Sequence, residues 1–184
     1  MTTKNIVIIS GAPGSGKSTL VNYIRKHLDI VIIEKDAIKE FFFDYIGYGD
    51  REVSKALGKA AIDAQFALAR QLLSIHDSVL METAFHADIA RKDFDALGSG
   101  YEIRYLEFYC HVDEGIRRDR FSNRANSARH PGHADLIAPN EATDNLDRYL
   151  PLQLGEVVRV DTGDFNIDTD GEVIVRKIQN FIGV

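Results

Sequence analysis

The residues best suited to chemistry lie near the start of the chain, where an apolar run leads into a glycine-rich segment. From Gly11 the sequence reads GAPGSGKST, which fits the pattern G-x-x-x-x-G-K-[ST] at Gly11, Gly16, Lys17 and Ser18. This pattern describes a loop whose backbone N–H groups surround a phosphate and whose lysine contacts it. The sequence therefore predicts a site for a nucleoside triphosphate.

Each residue type in this loop has a physical role. Glycine adopts backbone angles that other residues avoid, so consecutive N–H groups can point at one anion. A helix that begins near Lys17 would add the positive end of its dipole. We expect Lys17 to contact the β- and γ-phosphates and the Ser18 hydroxyl to bind Mg²⁺. The predicted nucleotide-binding residues of the loop are Gly11, Ala12, Pro13, Gly14, Ser15, Gly16, Lys17, Ser18 and Thr19.

A carboxylate follows the second apolar run of the chain. Asp36 lies in VIIEKDAIKE, where a parallel sheet would present its carboxyl edge to a ligand. At that edge an aspartate can accept the proton of an acceptor hydroxyl. Aspartate is also a common N-cap, and a helix is predicted to start at Ala37. The two roles are compatible, so Asp36 is a candidate catalytic base.

A second carboxylate ends the third apolar run. In SVLMET, four small or apolar residues precede Glu82, which is the outline of a Walker B site. An acid there would hold Mg²⁺ directly or through water. The alternatives are a strand-end cap and a residue that supports the site without touching the metal. The predicted metal ligands are Ser18 and Glu82.

Arginines are concentrated in residues 117–130, RRDRFSNRANSARH. Arg117, Arg120 and Arg124 are spaced so that they share one helix face. Guanidinium groups on such a face can bind phosphate oxygens and stabilise the charge of a phosphoryl-transfer transition state. The alternative is a solvated, charged helix face. The predicted catalytic residues are Lys17, Asp36, Arg120 and Arg124.

An irregular segment with two prolines follows, at residues 126–141. Loops of this length often close over ligands, so residues 117–141 are predicted to form a lid that excludes water. Arg129 lies within this lid beside the sequence HPGH. His130 and His133 have no cluster of further ligands near them, and Mg²⁺ prefers oxygen. Lid structure or substrate contact is therefore favoured over metal binding for these histidines.

Apolar runs alternate with helix-like segments, which is typical of an α/β domain with a parallel sheet. Strands are predicted at residues 6–10, 31–34, 79–82, 103–110 and 157–160. Helices are predicted at residues 17–27, 37–43, 53–75, 87–97, 114–125, 143–150 and 172–181. Residues 44–50 and 126–141 show no regular pattern. The 184 residues fit a single domain, residues 1–184.

Composition argues against several classes of protein. The net charge of −6 is unfavourable for general nucleic-acid binding. No apolar run reaches the ~20 residues that span a bilayer. The features of a signal peptide are missing, since Gly11 and Pro13 interrupt the first apolar run, and a cytoplasmic location is expected. The single cysteine, Cys110, ends an apolar run and is expected to be a buried thiol rather than a nucleophile.

Three stretches, GAPGSGKST, EKDAIKE and RFSNRANSARHPGHAD, resemble the small P-loop kinases of the AAA-type ATP-binding group, which includes polynucleotide kinase and chloramphenicol phosphotransferase. The resemblance implies a three-layer P-loop NTPase fold, with a five-stranded parallel sheet and a helical or irregular lid. It implies that Asp36 is the base for the acceptor hydroxyl and that Arg120 and Arg124 contact ATP. It also implies that residues 161–163, DTG, border the adenine.

The function expected from these features is ATP- and Mg²⁺-dependent transfer of a phosphoryl group to the hydroxyl of a small molecule. A polynucleotide or nucleoside kinase is an alternative that the net acidity disfavours. A nucleotide-dependent switch is a second alternative, although the guanine motif N-K-x-D is absent from the sequence. The acceptor is expected to contact an aromatic cluster, for which core packing is an equally good explanation. This cluster lies at residues 41–48, and the positions expected to build the acceptor pocket are Phe41, Phe42, Tyr45, Tyr48, Phe85 and His86.

Overall fold

The computed structural model describes residues 2–98, 100–124, 130–133 and 146–184, apart from the side chain of Arg124. The strands are β1 Thr3–Ser10, β2 Val31–Glu34, β3 Ser78–Glu82, β4 Glu102–His111 and β5 Glu156–Asp161. The helices are α1 Lys17–His27, α2 Lys35–Ile46, α3 Arg51–Leu73, α4 Ala87–Leu97, α5 Glu114–Arg124 and α6 Ile167–Ile182, with a 3₁₀ turn at Leu146–Tyr149. Within these described ranges, no helix is both long and apolar enough to cross a membrane.

All five strands are parallel and form one sheet in the order β2-β3-β1-β4-β5. The central strand β1 pairs with β3 on one side and β4 on the other. From β1 the chain runs to the edge strand β2, returns to β3, and then crosses β1 to β4 and β5. Ligands bind at the carboxyl ends of the strands at such a switch point. The predicted five-stranded parallel sheet is confirmed, and the loop after β1 leaves the sheet at its centre.

The core has two halves because successive side chains of β1 point to opposite faces of the sheet. Ile6 and Ile8 are fully buried against α3 and α4. Val7 and Ile9 are fully buried on the other face, against α1 and α6. Helices on both faces give the three layers that the sequence predicts, with strands apolar on both sides.

Helix α2 begins at Lys35 rather than at the predicted Ala37. Glu34 occupies the N-cap position in extended conformation, and Asp36 lies in the first turn of the helix. Asp36 is therefore not an N-cap, which corrects one of its two suggested roles. A negative charge in the first turn interacts favourably with the helix dipole.

Helix α6 begins at Ile167, whereas the sequence predicted residue 172. Asn166 caps it by accepting hydrogen bonds from the backbone N–H groups of Asp168 and Thr169. Gly171, which weakens a helical pattern, lies inside the helix because α6 approaches α1 closely there. A Cβ at Gly171 would lie 2.7 Å from the Tyr23 ring. Close packing of α6 on α1 thus requires glycine at position 171. The same glycine weakens the helical pattern of the sequence, which is why the helix was predicted to start too late.

Two segments differ from their predicted regularity. Residues 44–50 are partly helical, since α2 continues to Ile46. The side chain of Asp50 then caps α3 by accepting hydrogen bonds from two backbone N–H groups. The helix predicted at residues 143–150 is, in its described part, the 3₁₀ turn Leu146–Tyr149.

The single cysteine is part of the core. Cys110 is 1% exposed and packs with Val7, Ile9 and Phe108. Burial raises the pKa of its thiol to about 12, so the reactive thiolate is scarce at neutral pH. The prediction of a buried structural thiol is confirmed.

Candidate active site

The loop between β1 and α1 has the backbone that its glycines predict. Gly11, Gly14 and Gly16 have φ angles of 128°, 91° and 85°, a region that other residues rarely adopt. A Cβ at Gly11 would lie 2.1 Å from the carbonyl oxygen of Cys110. The loop therefore depends on glycine both for its backbone angles and for its close approach to β4.

Lys17 lies at the end of this loop, as the first residue of α1. Its Nζ donates hydrogen bonds to the carbonyl oxygens of Gly11, at 2.9 Å, and Ala12, at 3.1 Å. The same nitrogen is 4.0 Å from Oε1 of Glu82. These oxygen atoms keep a buried ammonium at the loop, where it can neutralise a phosphate.

Glu82 ends β3 beside Lys17 and is almost fully buried. Burial raises the pKa of its carboxyl to about 7, outweighing the attraction of Lys17, and the nearby charges of Asp36 and Glu34 raise it further. The register of the sheet explains the effect of Glu34 on this pKa, since Glu34 of β2 pairs with Glu82 of β3. A buried carboxyl with a raised pKa loses its proton more readily when a cation binds beside it.

A cleft of about 500 Å³ joins the residues that the sequence singles out. Lys17, Ser18, Asp36 and Glu82 all line it, and α3 forms one wall, so we call it the α3 cleft. Asp36 reaches it from α2, and its Oδ1 accepts a hydrogen bond of 2.9 Å from Lys35. The predicted base and both predicted metal ligands thus face the same space as the loop lysine.

A second cleft, of about 620 Å³, is lined by other residues of the same loop. We call it the α5 cleft because Arg120 and Asn123 of α5 line it, together with Gly16, Thr19 and Thr162. Arg120 donates to Oγ1 of Thr162 at 2.8 Å and to its carbonyl oxygen at 2.7 Å. The DTG turn therefore lies against the glycine loop and holds one of the two predicted lid arginines.

Arg117 differs from the prediction that it shares a phosphate-binding face with Arg120. It is 2% exposed, forms two hydrogen bonds of 2.8 Å with the Glu114 carboxylate, and donates to the Pro13 carbonyl oxygen at 3.0 Å. Bonds from Arg117, with smaller effects of Arg118, lower the pKa of Glu114 to about 2. Arg117 therefore connects the glycine loop to α5 through these hydrogen bonds.

Two of the predicted lid arginines cannot be placed in the same way. Arg124 ends α5, but its side chain lies outside the described residues, as does the whole of Arg129. Much of the predicted lid, residues 117–141, lies outside them too.

Residues 130–133, the HPGH sequence, pack onto α2. His133 is buried, and its Nε2 is 2.7 Å from Oε1 of Glu40. Nε2 of His130 is 3.1 Å from Oδ1 of Asp44. Among the described residues, no group of three or more His, Cys, Asp or Glu side chains is arranged to hold a metal ion. The structure thus gives both histidines carboxylate partners on α2.

Gly132 permits this contact with α2. A Cβ there would lie 2.7 Å from Cβ of Tyr48 and 2.8 Å from the Phe43 ring. Its carbonyl oxygen accepts a hydrogen bond of 3.0 Å from Ser54 of α3. Residues 130–133 are therefore held by both helices beside the α3 cleft, which His133 lines.

The positions suggested for the acceptor pocket do not gather in one cleft. His86 lines the α3 cleft, while Phe85 is buried in the core against Phe66 and Phe94. Phe41 and Tyr45 are exposed and pack on each other with ring centroids 4.6 Å apart. Neither acceptor binding nor core packing describes the whole set.

Sequence reasoning missed the residues that complete the walls of the α3 cleft. Lys35 and Lys39 of α2 and Lys55 and Lys59 of α3 line it. The only signal for the last two was their spacing of four residues, which places them on one helix face. Nothing in the sequence indicates that this face meets α2.

Tyr149 was also missed. It lines the α3 cleft and packs edge-on against His86, with ring centroids 5.1 Å apart. The chain that follows it is fixed by the buried Glu107 carboxylate, which accepts hydrogen bonds from the backbone N–H groups of Leu152 and Gln153. This contact spans 45 residues and brings the 3₁₀ turn to the cleft.

Comparison with known proteins places this site in a family. A family model described as an AAA domain matches residues 6–149. The chain belongs to the AAA domain family. The part that matches this AAA domain includes the glycine loop, Asp36, Glu82 and Arg120.

Individual relatives agree with this assignment. A crystal structure of a protein from Chloroflexus aurantiacus J-10-fl, provisionally described as a kinase, is 29% identical with a TM-score of 0.86 and covers 97% of this chain and 98% of that one. Shikimate kinase from Acinetobacter baumannii is 15% identical with a TM-score of 0.55, covering 97% of this chain and 94% of that one. APS kinase from Mycobacterium tuberculosis is 16% identical with a TM-score of 0.59, covering 97% and 99%. The last two show the fold alone.

A curated sequence relative matches a shorter part of the chain. Dephospho-CoA kinase from Prochlorococcus marinus (strain MIT 9312) is 35% identical over 69 residues, which cover 35% of this chain and 34% of that protein. The chain thus matches about a third of that relative's length. Taken together, the comparisons confirm the resemblance to small P-loop kinases.

Proposed function

We propose that this AAA domain transfers the γ-phosphoryl group of ATP to a hydroxyl of a small molecule bound in the α3 cleft. The α3 cleft carries this proposal, because it places Asp36 in the same space as Lys17 and Ser18 of the glycine loop. Phosphoryl transfer needs an oriented acceptor, neutralised phosphate charge and a place for the departing proton. One cleft contains a residue for each of these tasks.

Asp36 is the candidate base in this reaction. It is partly exposed in the first turn of α2, and its carboxylate is bonded to Lys35. An acceptor hydroxyl that donates to this carboxylate has its oxygen directed at the loop, where the terminal phosphate of ATP would lie. As the new O–P bond forms, the hydroxyl proton passes to Asp36 and ADP leaves.

Ser18 and Glu82 fit a magnesium site, since Mg²⁺ takes oxygen ligands and both side chains offer oxygen atoms to the α3 cleft. Bound there, Mg²⁺ would neutralise the phosphate charge that develops during transfer. Glu82 would contribute its charged form, which a nearby cation favours over the protonated one.

The α5 cleft is the proposed place of the nucleoside. Thr19, Arg120 and Thr162 line it, whereas Asp36 lines the α3 cleft. This arrangement separates donor and acceptor across the glycine loop, with the phosphates between them. Arg124 remains a predicted contact of the phosphates from the end of α5.

The test uses labelled ATP with a panel of hydroxylated sugars, antibiotics, nucleosides and 5′-hydroxyl oligonucleotides. For the acceptor with the highest rate, we expect Asp36→Asn to lower kcat by ~10²–10⁴, the contribution of a general base. The dissociation constant for MgATP should stay within about twofold, because Asp36 lies on the acceptor side. Asp93→Asn is the matched control, since Asp93 also lines the α3 cleft.

Three results would count against the proposal. Unchanged turnover in Asp36→Asn would remove Asp36 as the base. ATP hydrolysis without transfer to any acceptor would favour a nucleotide-dependent switch. A preference for oligonucleotides would favour the polynucleotide kinase alternative, for which the net charge of −6 is unfavourable.

A further inference from the structure

Lysine is unevenly distributed over this acidic protein. The sequence contains nine lysines and has a net charge of −6. Five of those lysines line the α3 cleft: Lys17, Lys35, Lys39, Lys55 and Lys59. Lys17 belongs to the glycine loop, whereas the other four come from α2 and α3. Four acidic residues, Asp36, Asp63, Glu82 and Asp93, also line this cleft, so lysines outnumber acids there although the whole chain is acidic.

Three of these lysines lie around one glycine of α3. Lys55 and Lys59 lie one turn apart on α3, and Gly58 lies between them in the sequence. A Cβ at Gly58 would lie 3.6 Å from Nζ of Lys39, which approaches from α2. Glycine in a helix interior is less stable than alanine. Here it leaves the surface of α3 bare beside the ammonium of Lys39.

The two α3 lysines pair with exposed carboxylates that lie in opposite directions along the helix. Lys55 pairs with Glu52 at 2.8 Å and Lys59 with Asp63 at 3.1 Å. In both pairs the side chains are more than half exposed. Such exposed pairs contribute little to stability, so an anionic ligand can displace the two carboxylates at little cost.

The buried member of the set is held in place. Nζ of Lys39 donates to Oγ of Ser54 at 3.0 Å and lies 5.0 Å from the centroid of the Phe43 ring. Ser54 Oγ donates in turn to the carbonyl oxygen of Gly132. Lys39 is thus fixed by α3 and by residues 130–133, and its ammonium needs no rearrangement to face Gly58.

Resting on the proposed function, we propose that the phosphoryl acceptor is itself an anion, whose phosphate or carboxylate group binds between Lys39, Lys55 and Lys59 over Gly58. Charge-assisted hydrogen bonds from several ammonium groups are the usual way in which proteins hold such groups. The anion would anchor one end of the acceptor on α3 and leave its hydroxyl free to reach Asp36, which lines the same cleft.

ATP does not account for these lysines. The nucleoside side of the loop is the α5 cleft, to which α3 contributes none of the described lining residues. The terminal phosphates of ATP are expected at Lys17 and the loop amides. Lys55 and Lys59 belong to α3, on the far wall of the α3 cleft.

The test measures lysine reactivity and needs no phosphoryl transfer, so it is independent of the proposed function. The protein, with MgADP present at saturation, is treated with pyridoxal 5′-phosphate or pyridoxal, and separately with glyoxylate or glycolaldehyde. Each aldehyde condenses with a lysine amine and releases water, and cyanoborohydride reduces the imine to a stable secondary amine. Mass spectrometry then gives the labelling rate of each lysine.

All rates are divided by those of two reference lysines outside the cleft. Lys26 is exposed on α1, and Lys177 on α6 pairs with Glu156 at 2.7 Å, which matches the paired state of Lys55 and Lys59. We expect the normalised rate at Lys55 or Lys59 to be about tenfold higher for an anionic aldehyde than for its neutral partner, because a fixed cationic site concentrates anions. The phosphate and carboxylate pairs show which anion is preferred.

A variant distinguishes a shared site from separate reactive lysines. Lys59→Gln should lower the labelling of Lys55 by the anionic aldehyde about threefold or more, while Lys177→Gln should leave it unchanged. Equal normalised rates for anionic and neutral aldehydes would overturn the proposal. It would also be overturned if Lys59→Gln left the labelling of Lys55 unaltered.

Discussion

Replacing Glu82 by glutamine tests the electrostatics of the site directly. Glu82 is almost fully buried, and burial raises the pKa of its carboxyl to about 7, against an ordinary value of 4.5. Between these two pH values the folded protein binds more protons at this position than the unfolded chain does. Its free energy of unfolding therefore falls as the pH rises from 4.5 to 7.

The size of this effect follows from the two pKa values. The step from 4.5 to about 7 corresponds to about 3 kcal/mol, since one pKa unit is worth about 1.4 kcal/mol. Glutamine has a similar shape and does not titrate. The difference in the free energy of unfolding between Glu82→Gln and the parent should therefore increase by about 3 kcal/mol between pH 4 and pH 8. Any effect of the substitution that does not depend on pH cancels in this comparison.

The assay is thermal unfolding of both proteins from pH 4 to pH 8, without nucleotide or Mg²⁺. At this chain length, 3 kcal/mol corresponds to a change in the midpoint difference of about 6–12 °C. Glu172→Gln is the control, because it removes a carboxylate from an exposed pair with Arg176 on α6. Its effect should be small and should vary little with pH.

The reasoning is refuted if the difference between Glu82→Gln and the parent is the same at pH 4 and pH 8. That result would mean that Lys17, 4.0 Å away, offsets the cost of burying the charge. A difference that grows toward low pH would reverse the sign of the argument and would place the pKa of Glu82 below its ordinary value.

Two further predictions concern residues that position the site. Gln65 is fully buried on α3 and donates to the carbonyl oxygens of Ile33 at 2.8 Å and Glu82 at 3.0 Å. Gln65→Leu should therefore lower the free energy of unfolding by ~1–3 kcal/mol in denaturant titrations. An unchanged unfolding midpoint would contradict this role. Gly132→Ala should push residues 130–133 off α2, since the added Cβ would lie 2.7 Å from Tyr48. Amide hydrogen exchange in this segment, measured by mass spectrometry, should then be faster than in the parent protein. Exchange as slow as in the parent would show that the contact tolerates a methyl group.

The elements that follow from short-range patterns could be predicted from the sequence. Each strand of the sheet contains one of the predicted apolar runs, and α1 and α4 begin and end at their predicted residues. The loop residues follow from backbone requirements that glycine alone meets, and Asp36 and Glu82 follow from their positions at the ends of strands. These inferences need only the local sequence and the geometry of a parallel sheet.

The remaining features depend on contacts between distant parts of the chain. Arg117 has the spacing of a surface residue on α5, but its burial results from packing on Pro13, 104 positions away in the sequence. His133 meets Glu40 across 93 positions. The lysines of α3 become part of a cleft only because α2 packs beside them. No local pattern records which helix faces meet, so these residues could not be assigned beforehand.

The buried state of Cys110 has a practical consequence for the study of motion. Because the chain has no other cysteine and this thiol is sequestered in the core, thiol reagents should leave the folded parent protein unlabelled. A cysteine introduced at an exposed position, such as Ser122 on α5, would then be a unique attachment point for a fluorophore or spin label. With a second exposed cysteine on α2, the distance between the two labels could be followed through a catalytic cycle without first replacing the native cysteine.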